Sequence, residues 1–351
     1  MTDHSSFAFG TGFALGTFTS TTRTAFAGLV IDEQVCEVDA VLAVGGASES
    51  EKRADRTLFD LLQDWETVFA ALDHAANQFR RGNTSLNRLA VPLSEVRVLA
   101  PIAFPRQIFC AGANYFKHVV QLLVDQGGKG GLPGTEGMNP QELYAYATDI
   151  MTRRKREGQP YFFNKPVSTI TGPFDPIVIP VSAEQPDWEL ELGVYIGKGA
   201  RHVKAVDAMG YVAGYTIVND ITDRKLLWRR DEMKAMGTDW VSGKSAPGYL
   251  PTGPYLVPAA YVREPGNLRI TLKLNGEVKQ DDVTSDMIHD IPRLIEYLSS
   301  KVKLLPGDLI CTGSPAGNGT HYNRYLQPND VVESTISGLG VQRNPVLAEA
   351  T

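Results

Sequence analysis

Between Pro186 and Gly197 the chain reads Pro-Asp-Trp-Glu-Leu-Glu-Leu-Gly-Val-Tyr-Ile-Gly, and no other stretch narrows its possible folds as much. Leu190, Leu192, Val194 and Ile196 alternate with Glu189, Glu191 and Tyr195, the period of a β-strand. Side chains two apart on a strand share a face, so Glu189 and Glu191 point the same way from Cα atoms about 6.5 Å apart. Two carboxylates that close repel each other unless water, a proton or a cation offsets them. A solvated strand edge and a cation site both meet that condition. A second apolar strand, Tyr211 to Val218, ends at Asn219-Asp220, which sets a further carboxylate at a strand rim beside Thr222 and Arg224. Glu189, Glu191 and Asp220 could then converge as an all-oxygen site. Such a ligand set favours Mg²⁺, Mn²⁺ or Ca²⁺ over Zn²⁺, and it leaves coordination positions for water and a chelating substrate.

The composition removes several other classes. The 351 residues carry a net charge of -6, which argues against nucleic acid or a polybasic membrane surface as the partner. Apolar runs fall well short of the roughly 20 residues a spanning helix needs. Met1 to Gly10 holds no Lys or Arg ahead of an apolar core, so no secretory signal is expected. Cys36, Cys110 and Cys311 are too scattered for a disulfide framework and suit a reducing, cytoplasmic setting.

The pattern predicts an α+β, mostly β chain in two parts. Residues 1–100 form a small N-terminal α+β unit, with strands at Phe26 to Ile31 and Val35 to Val38 joined by a turn at Asp32-Glu33-Gln34. A helix over Thr57 to Phe79 carries Leu58, Leu61, Leu62, Trp65, Val68, Phe69 and Leu72 on one stripe. Residues 101–351 form the main domain, opening with a strand that runs through a glycine turn into a helix start at Gln107 to His118. Residues 122–159 interrupt it as a lid-like insertion: a flexible Gly127-to-Gly131 tract, then a helix capped by Asn139-Pro140 and running to Glu157. Strands follow near Pro176 to Ile179, Leu268 to Leu274 and Leu309 to Thr312, with a helix over Met287 to Val302.

Six motifs recur in order through the main domain. They are Gly112-Ala113-Asn114-Tyr115-Phe116-Lys117-His118, Phe163-Asn164-Lys165-Pro166, Asp187-Trp188-Glu189-Leu190-Glu191-Leu192, Gly214 to Asp220, Gly253-Pro254-Tyr255-Leu256-Val257, and Pro306-Gly307-Asp308 to Gly317. In these the chain resembles the fumarylacetoacetate hydrolase family over Arg106 to Pro345. The resemblance implies a rolled, barrel-like mixed β-sheet and a homodimer. It assigns Glu189, Glu191 and Asp220 to a divalent metal, Mg²⁺ or Mn²⁺, with Ca²⁺ able to replace them in crystals. It implies small 2-oxo or 1,3-dicarbonyl acids as substrates, and C–C hydrolysis, decarboxylation, isomerisation or hydration as reactions. A metal chelated by neighbouring oxygens would stabilise the enolate common to all of these.

By the same resemblance His118 is the general base, and Lys244 and Thr312 steady the oxyanion. Tyr115, Lys165, Arg224 and Gly313 line the substrate site, with Arg224 suited to grip a carboxylate. The chain departs from the family pattern at Gln121, where a glutamate commonly supports the histidine, and at Lys225 and Leu227. Glutamine cannot stabilise an imidazolium by charge, so Asp125, Glu136 or Glu142 would have to take that role. The first reading is metal-dependent hydrolysis of a C–C bond in an acylpyruvate-type acid. Gln121 favours a second, a 2-oxo acid decarboxylase or 2-hydroxydienoate isomerase or hydratase. A third is a metal-binding member of the fold without catalysis.

Overall fold

The computed structural model describes residues 12–21, 23–44, 55–125, 134–135, 137–229, 235 and 237–350. The N-terminal ten residues, the 127–131 glycine tract and Glu136, all singled out from the sequence, lie outside them.

The strand read from the Glu-Leu-Glu motif spans Leu190–Ile196 and lies inside a six-stranded mixed sheet. The sheet order is Val257–Pro258, Val212–Asn219, Leu190–Ile196, Leu309–Cys311, Ile108–Ala111 and Phe162–Asn164. All neighbours are antiparallel except Leu309–Cys311 with Ile108–Ala111. A five-stranded sheet faces it, in the order Glu277–Val283, Arg269–Leu274, Val331–Ile336, Gly340–Ala348 and Ile177–Ile179. Leu190, Leu192, Val194 and Ile196 share one apolar core with Ile270, Leu272, Val332 and Ile336 of the facing sheet. Truncating a leucine such as Leu192 there costs about 2–5 kcal/mol.

The opposite face of the same strand is also covered. Tyr195 joins a second core made with Leu29, Val41, Leu61 and Leu72 of the N-terminal part and with Cys110, Leu256 and Leu309. Every residue of Leu190–Ile196 is therefore buried, as is Glu189 just ahead of it, which excludes the solvated-edge reading of the two glutamates. The N-terminal part is a five-stranded sheet of Ala14–Thr19, Phe26–Ile31, Gln34–Glu37, Val91–Pro92 and Arg97–Leu99 with helices on it. Its hairpin turns at Asp32 and Glu33, both at positive φ, as a two-residue turn between right-twisted strands requires. The single helix expected over Thr57 to Phe79 is two, Leu58–Leu62 and Trp65–Arg80. Thr57 and Asp60 close a capping box on the first, and Asp64 starts the second.

Helix Phe116–Asp125 follows the strand Ile108–Ala111, and helix Pro140–Glu157 packs on it through Val119, Val120, Leu123, Ala147 and Met151. Asn139 caps the second helix reciprocally with Glu142. Among the described residues no helix is long and apolar enough to cross a membrane.

Candidate metal centre and active site

The pairing of Leu190–Ile196 with Val212–Asn219 sets Leu190 opposite Asn219, so Asp220 leaves its strand beside Glu189. The Asp220 N–H donates to the Glu189 carbonyl at 2.8 Å. Glu189, Glu191 and Asp220 are all buried, Glu191 at 2% exposure. Each offers a carboxylate oxygen within 4.8 Å of the others.

Three protein cations surround this trio unevenly. Lys165 donates to Asp220 Oδ1 at 2.5 Å and to the Ile221 and Tyr249 carbonyls. Lys244 Nζ lies 2.5 Å from both Glu189 Oε2 and Asp220 Oδ2. Arg224 pairs with Glu189 Oε1 at 2.7 Å and with Asp187 at 2.8 Å. Glu191 instead accepts the Gly313 N–H at 2.7 Å, and among the described residues no cation pairs with it. Burial raises the pKa of Glu189, but Arg224 and Lys244 outweigh it and hold the group well below the usual carboxylate range. Burial, then Asp220, Cys311 and Glu189, push Glu191 well above that range. A buried carboxylate that its neighbours leave uncompensated, in an all-oxygen set, fits a hard divalent cation. Lys244 stays charged, since Asp220 and Glu189 offset its desolvation.

A cavity of about 700 Å³ opens onto the trio and is also lined by His118, Lys244, Arg224 and Ser314. Burial lowers the His118 pKa to about 4, with Glu189 opposing and Arg224 and Lys244 adding to the fall. Its ring is therefore neutral at ordinary pH. Of the acids proposed to support it, Glu136 lies outside the described residues and the other two are engaged elsewhere. Asp125 binds His321 Nδ1 at 2.9 Å, and Glu142 closes the Asn139 capping box. Gln121 accepts the Gly317 N–H at 3.1 Å and so anchors the loop across the helix.

Four other residues expected in the substrate site are not among those lining the cavity. Thr312 is fully buried and donates to the Leu192 carbonyl at 2.9 Å. Tyr115 is buried in the core between the sheets. Gly313 holds Glu191, and Lys165 holds Asp220. Gly313 and Lys165 thus support the carboxylates and Thr312 the strand that carries Glu191, while Tyr115 packs in the core. Arg224 does line the cavity, but two carboxylates already hold it. Asp187 carries more of the site than its motif suggested. It gathers Arg224, the Gly319 and Thr320 N–H groups and the Thr320 hydroxyl. The stacked pair Phe163–Trp240, with centroids 4.3 Å apart, joins two segments far apart in sequence and leaves no local pattern to find it by.

The model for the C-terminal domain of fumarylacetoacetate (FAA) hydrolase matches residues 107–347. The chain belongs to the fumarylacetoacetate hydrolase family. The human mitochondrial oxaloacetate tautomerase FAHD2B, to which the chain is similar, is 36% identical over 259 residues, 73% of this chain and 71% of that protein. The maleylpyruvate hydrolase of Sphingobium sp. SYK-6, solved with manganese(II) and pyruvate, superposes with a TM-score of 0.66 at 25% identity, over 96% of this chain and all of that one. A 2-hydroxyhepta-2,4-diene-1,7-dioate isomerase of Mycobacterium marinum gives a TM-score of 0.63 at 26% identity, over 97% and 100%. The fumarylacetoacetate hydrolase fold expected from the six motifs is thus the fold of the chain. Within this family, relatives are named for tautomerase, hydrolase and isomerase activities.

Proposed function

We propose that this protein is a divalent-metal-dependent enzyme that interconverts the keto and enol forms of a 2-oxo acid. The observation that carries this reading is His118: buried, neutral, facing the Glu189 side of the cavity and without an acid partner among the described residues. Hydrolysis needs a base that activates water and then tolerates charge, which a supporting carboxylate provides. Proton transfer from carbon to oxygen of one substrate also makes the ring an imidazolium, but only until it returns the same proton, and it needs no water held and activated.

Glu189, Glu191 and Asp220 would hold Mg²⁺ or Mn²⁺, which supplies positive charge to neighbouring oxygens of a 2-oxo acid and so favours loss of the adjacent proton. His118 takes the proton from the carbon beside the oxo group and returns it to oxygen. Lys244 and Arg224 fix the carboxylates, and Lys165 orients Asp220 from behind. Helix Phe116–Asp125 sets Val119, Leu122 and Leu123 on the cavity wall beside His118, an apolar surface that would limit water at the reacting carbon. The name of the human relative supports this reaction. A second reading, C–C hydrolysis, draws support from the manganese- and pyruvate-bound maleylpyruvate hydrolase. The homodimer and the reducing, cytoplasmic setting expected from the sequence complete the proposal; the buried free thiols Cys36, Cys110 and Cys311 suit that setting.

The test is a ¹H NMR time course with Mg²⁺ and oxaloacetate or acetylpyruvate in D₂O. Catalysed deuterium exchange at the carbon beside the oxo group, without new acids, supports tautomerisation. Appearance of two cleavage products at the rate of exchange would support hydrolysis instead.

A further inference from the structure

The cavity is larger and more apolar than a small diacid needs. Its volume of about 700 Å³ falls in the upper part of the roughly 300–1,000 Å³ range of sites for drug-sized ligands. Away from the carboxylates its lining includes Val119, Leu122 and Leu123 from helix Phe116–Asp125, and Phe163, Leu227 and Trp240. Trp240 lies flat on Phe163, with an interplanar angle of 4°, and the Asp239 N–H donates to the Leu227 carbonyl at 2.8 Å, which ties Leu227 to the Trp240 segment. Among the described residues, the lysines and arginines lining the cavity are all held by carboxylates. Arg224 pairs with Asp187 and Glu189, Lys225 with Glu184, and Lys244 with Glu189 and Asp220. A second substrate carboxylate would thus meet, among the described residues, no unpaired cation, only apolar surface and neutral groups such as Gln185, Thr238 and Thr320, which offset less of its lost hydration.

We infer that the substrate is a 2-oxo acid with an extended apolar tail, alkyl or aryl, whose head lies at the carboxylate trio and whose tail runs along Leu122, Leu227 and Trp240. This rests on the 2-oxo acid reading above and departs from the four-carbon diacid named for the human relative.

Oxamate and its N-alkyl derivatives are inert and keep the carboxylate–carbonyl head, so they separate head from tail. The experiment is calorimetric titration of the Mg²⁺-loaded protein with oxamate, N-propyl, N-pentyl, N-benzyl and N-carboxymethyl oxamate. Affinity is expected to rise about fourfold per buried methylene, the ratio equivalent to about 0.8 kcal/mol, with N-carboxymethyl oxamate weaker than N-propyl oxamate. L227N should flatten the series while its Mn²⁺ affinity, read separately, stays within threefold of the parent. A flat series in the parent protein, or tighter binding of the carboxymethyl tail, overturns the tail assignment and leaves the head reading standing. Failure of oxamate and all its derivatives to bind overturns both.

Discussion

The two sides of the cavity are built by opposite means. On one side, three buried carboxylates stand on or beside strands of the sheet, two of them, Glu189 and Asp220, met by Lys165, Lys244 and Arg224 through close ion pairs, and the third, Glu191, by the Gly313 N–H. On the other, two packed helices join the rest mostly through more exposed polar ties, among them Gln121 to Gly317, Asp125 to His321, Lys117 to Asp282 and Asp286, and Arg154 to the Ala113 carbonyl at 2.7 Å. A charge cluster in a low-dielectric sheet has one arrangement that satisfies it, because each misplaced charge costs several kcal/mol. The helical side is held mostly by apolar contact, which tolerates substitution of similar volume. On the proposed reading the metal ligands come from the sheet side, and the helical side supplies His118 together with Val119, Leu122 and Leu123 of the apolar wall.

Substitutions test that division. His118→Ala removes the one group on the helical side assigned to the chemistry. It should lower kcat by about 10²–10⁴, with Mn²⁺ affinity within threefold of the parent; a change in kcat under threefold would move the base to the sheet side. Lys165→Ala strips Asp220 of a fully buried partner. Denaturant unfolding should show a loss of about 3–5 kcal/mol, and a loss under 1 kcal/mol would mean that the cluster is less rigid than described.

The effect of pH follows from His118. The ring titrates near 6.5 when unfolded and near 4 when buried, so the unfolded chain binds more protons between those values. Its share of the stability is intact above pH 6.5, and about 3 kcal/mol is lost as pH falls to 4. The acid limb of kcat/KM should likewise lie below pH 5 rather than near 6.5. A limb near 6.5 would reveal a charged partner for the ring. Smallest of all, Arg154→Ala breaks a half-buried tie between the insertion helix and the Gly112–Ala113 wall. It should cost about 1–3 kcal/mol and raise KM more than it lowers kcat. The reverse pattern would give the insertion helix, and not His118 alone, a part in the chemistry.

The same division explains what the sequence disclosed. The strand Leu190–Ile196 and the position of Asp220 were legible because a period of two fixes faces, and paired carboxylates are rare on a buried face. The Asn139 cap and the Asp32-Glu33 turn were legible for equally local reasons. Thr312 and Tyr115 were assigned to the substrate by motif, yet register turns Thr312 toward Leu192 and packing takes Tyr115 into the core. Neither local pattern records which way a side chain at a strand end will face. Asp125 illustrates the same limit: it lies two helical turns from His118 on the same face, and only the fold brings His321 to it instead. The break at Gln63–Asp64 lay hidden because the apolar stripe continues through both helices.

The most direct test of the account is the cation itself. Titration of metal-stripped protein with Mn²⁺, followed by electron paramagnetic resonance, should show one tight site per chain. Glu191→Gln keeps the shape but removes the one carboxylate of the trio that, among the described residues, no protein cation pairs with, and it should weaken that site by at least about 100-fold, while circular dichroism stays that of the parent. Equal Mn²⁺ affinity in the two proteins would contradict the metal centre, and with it the chemistry assigned to the sheet.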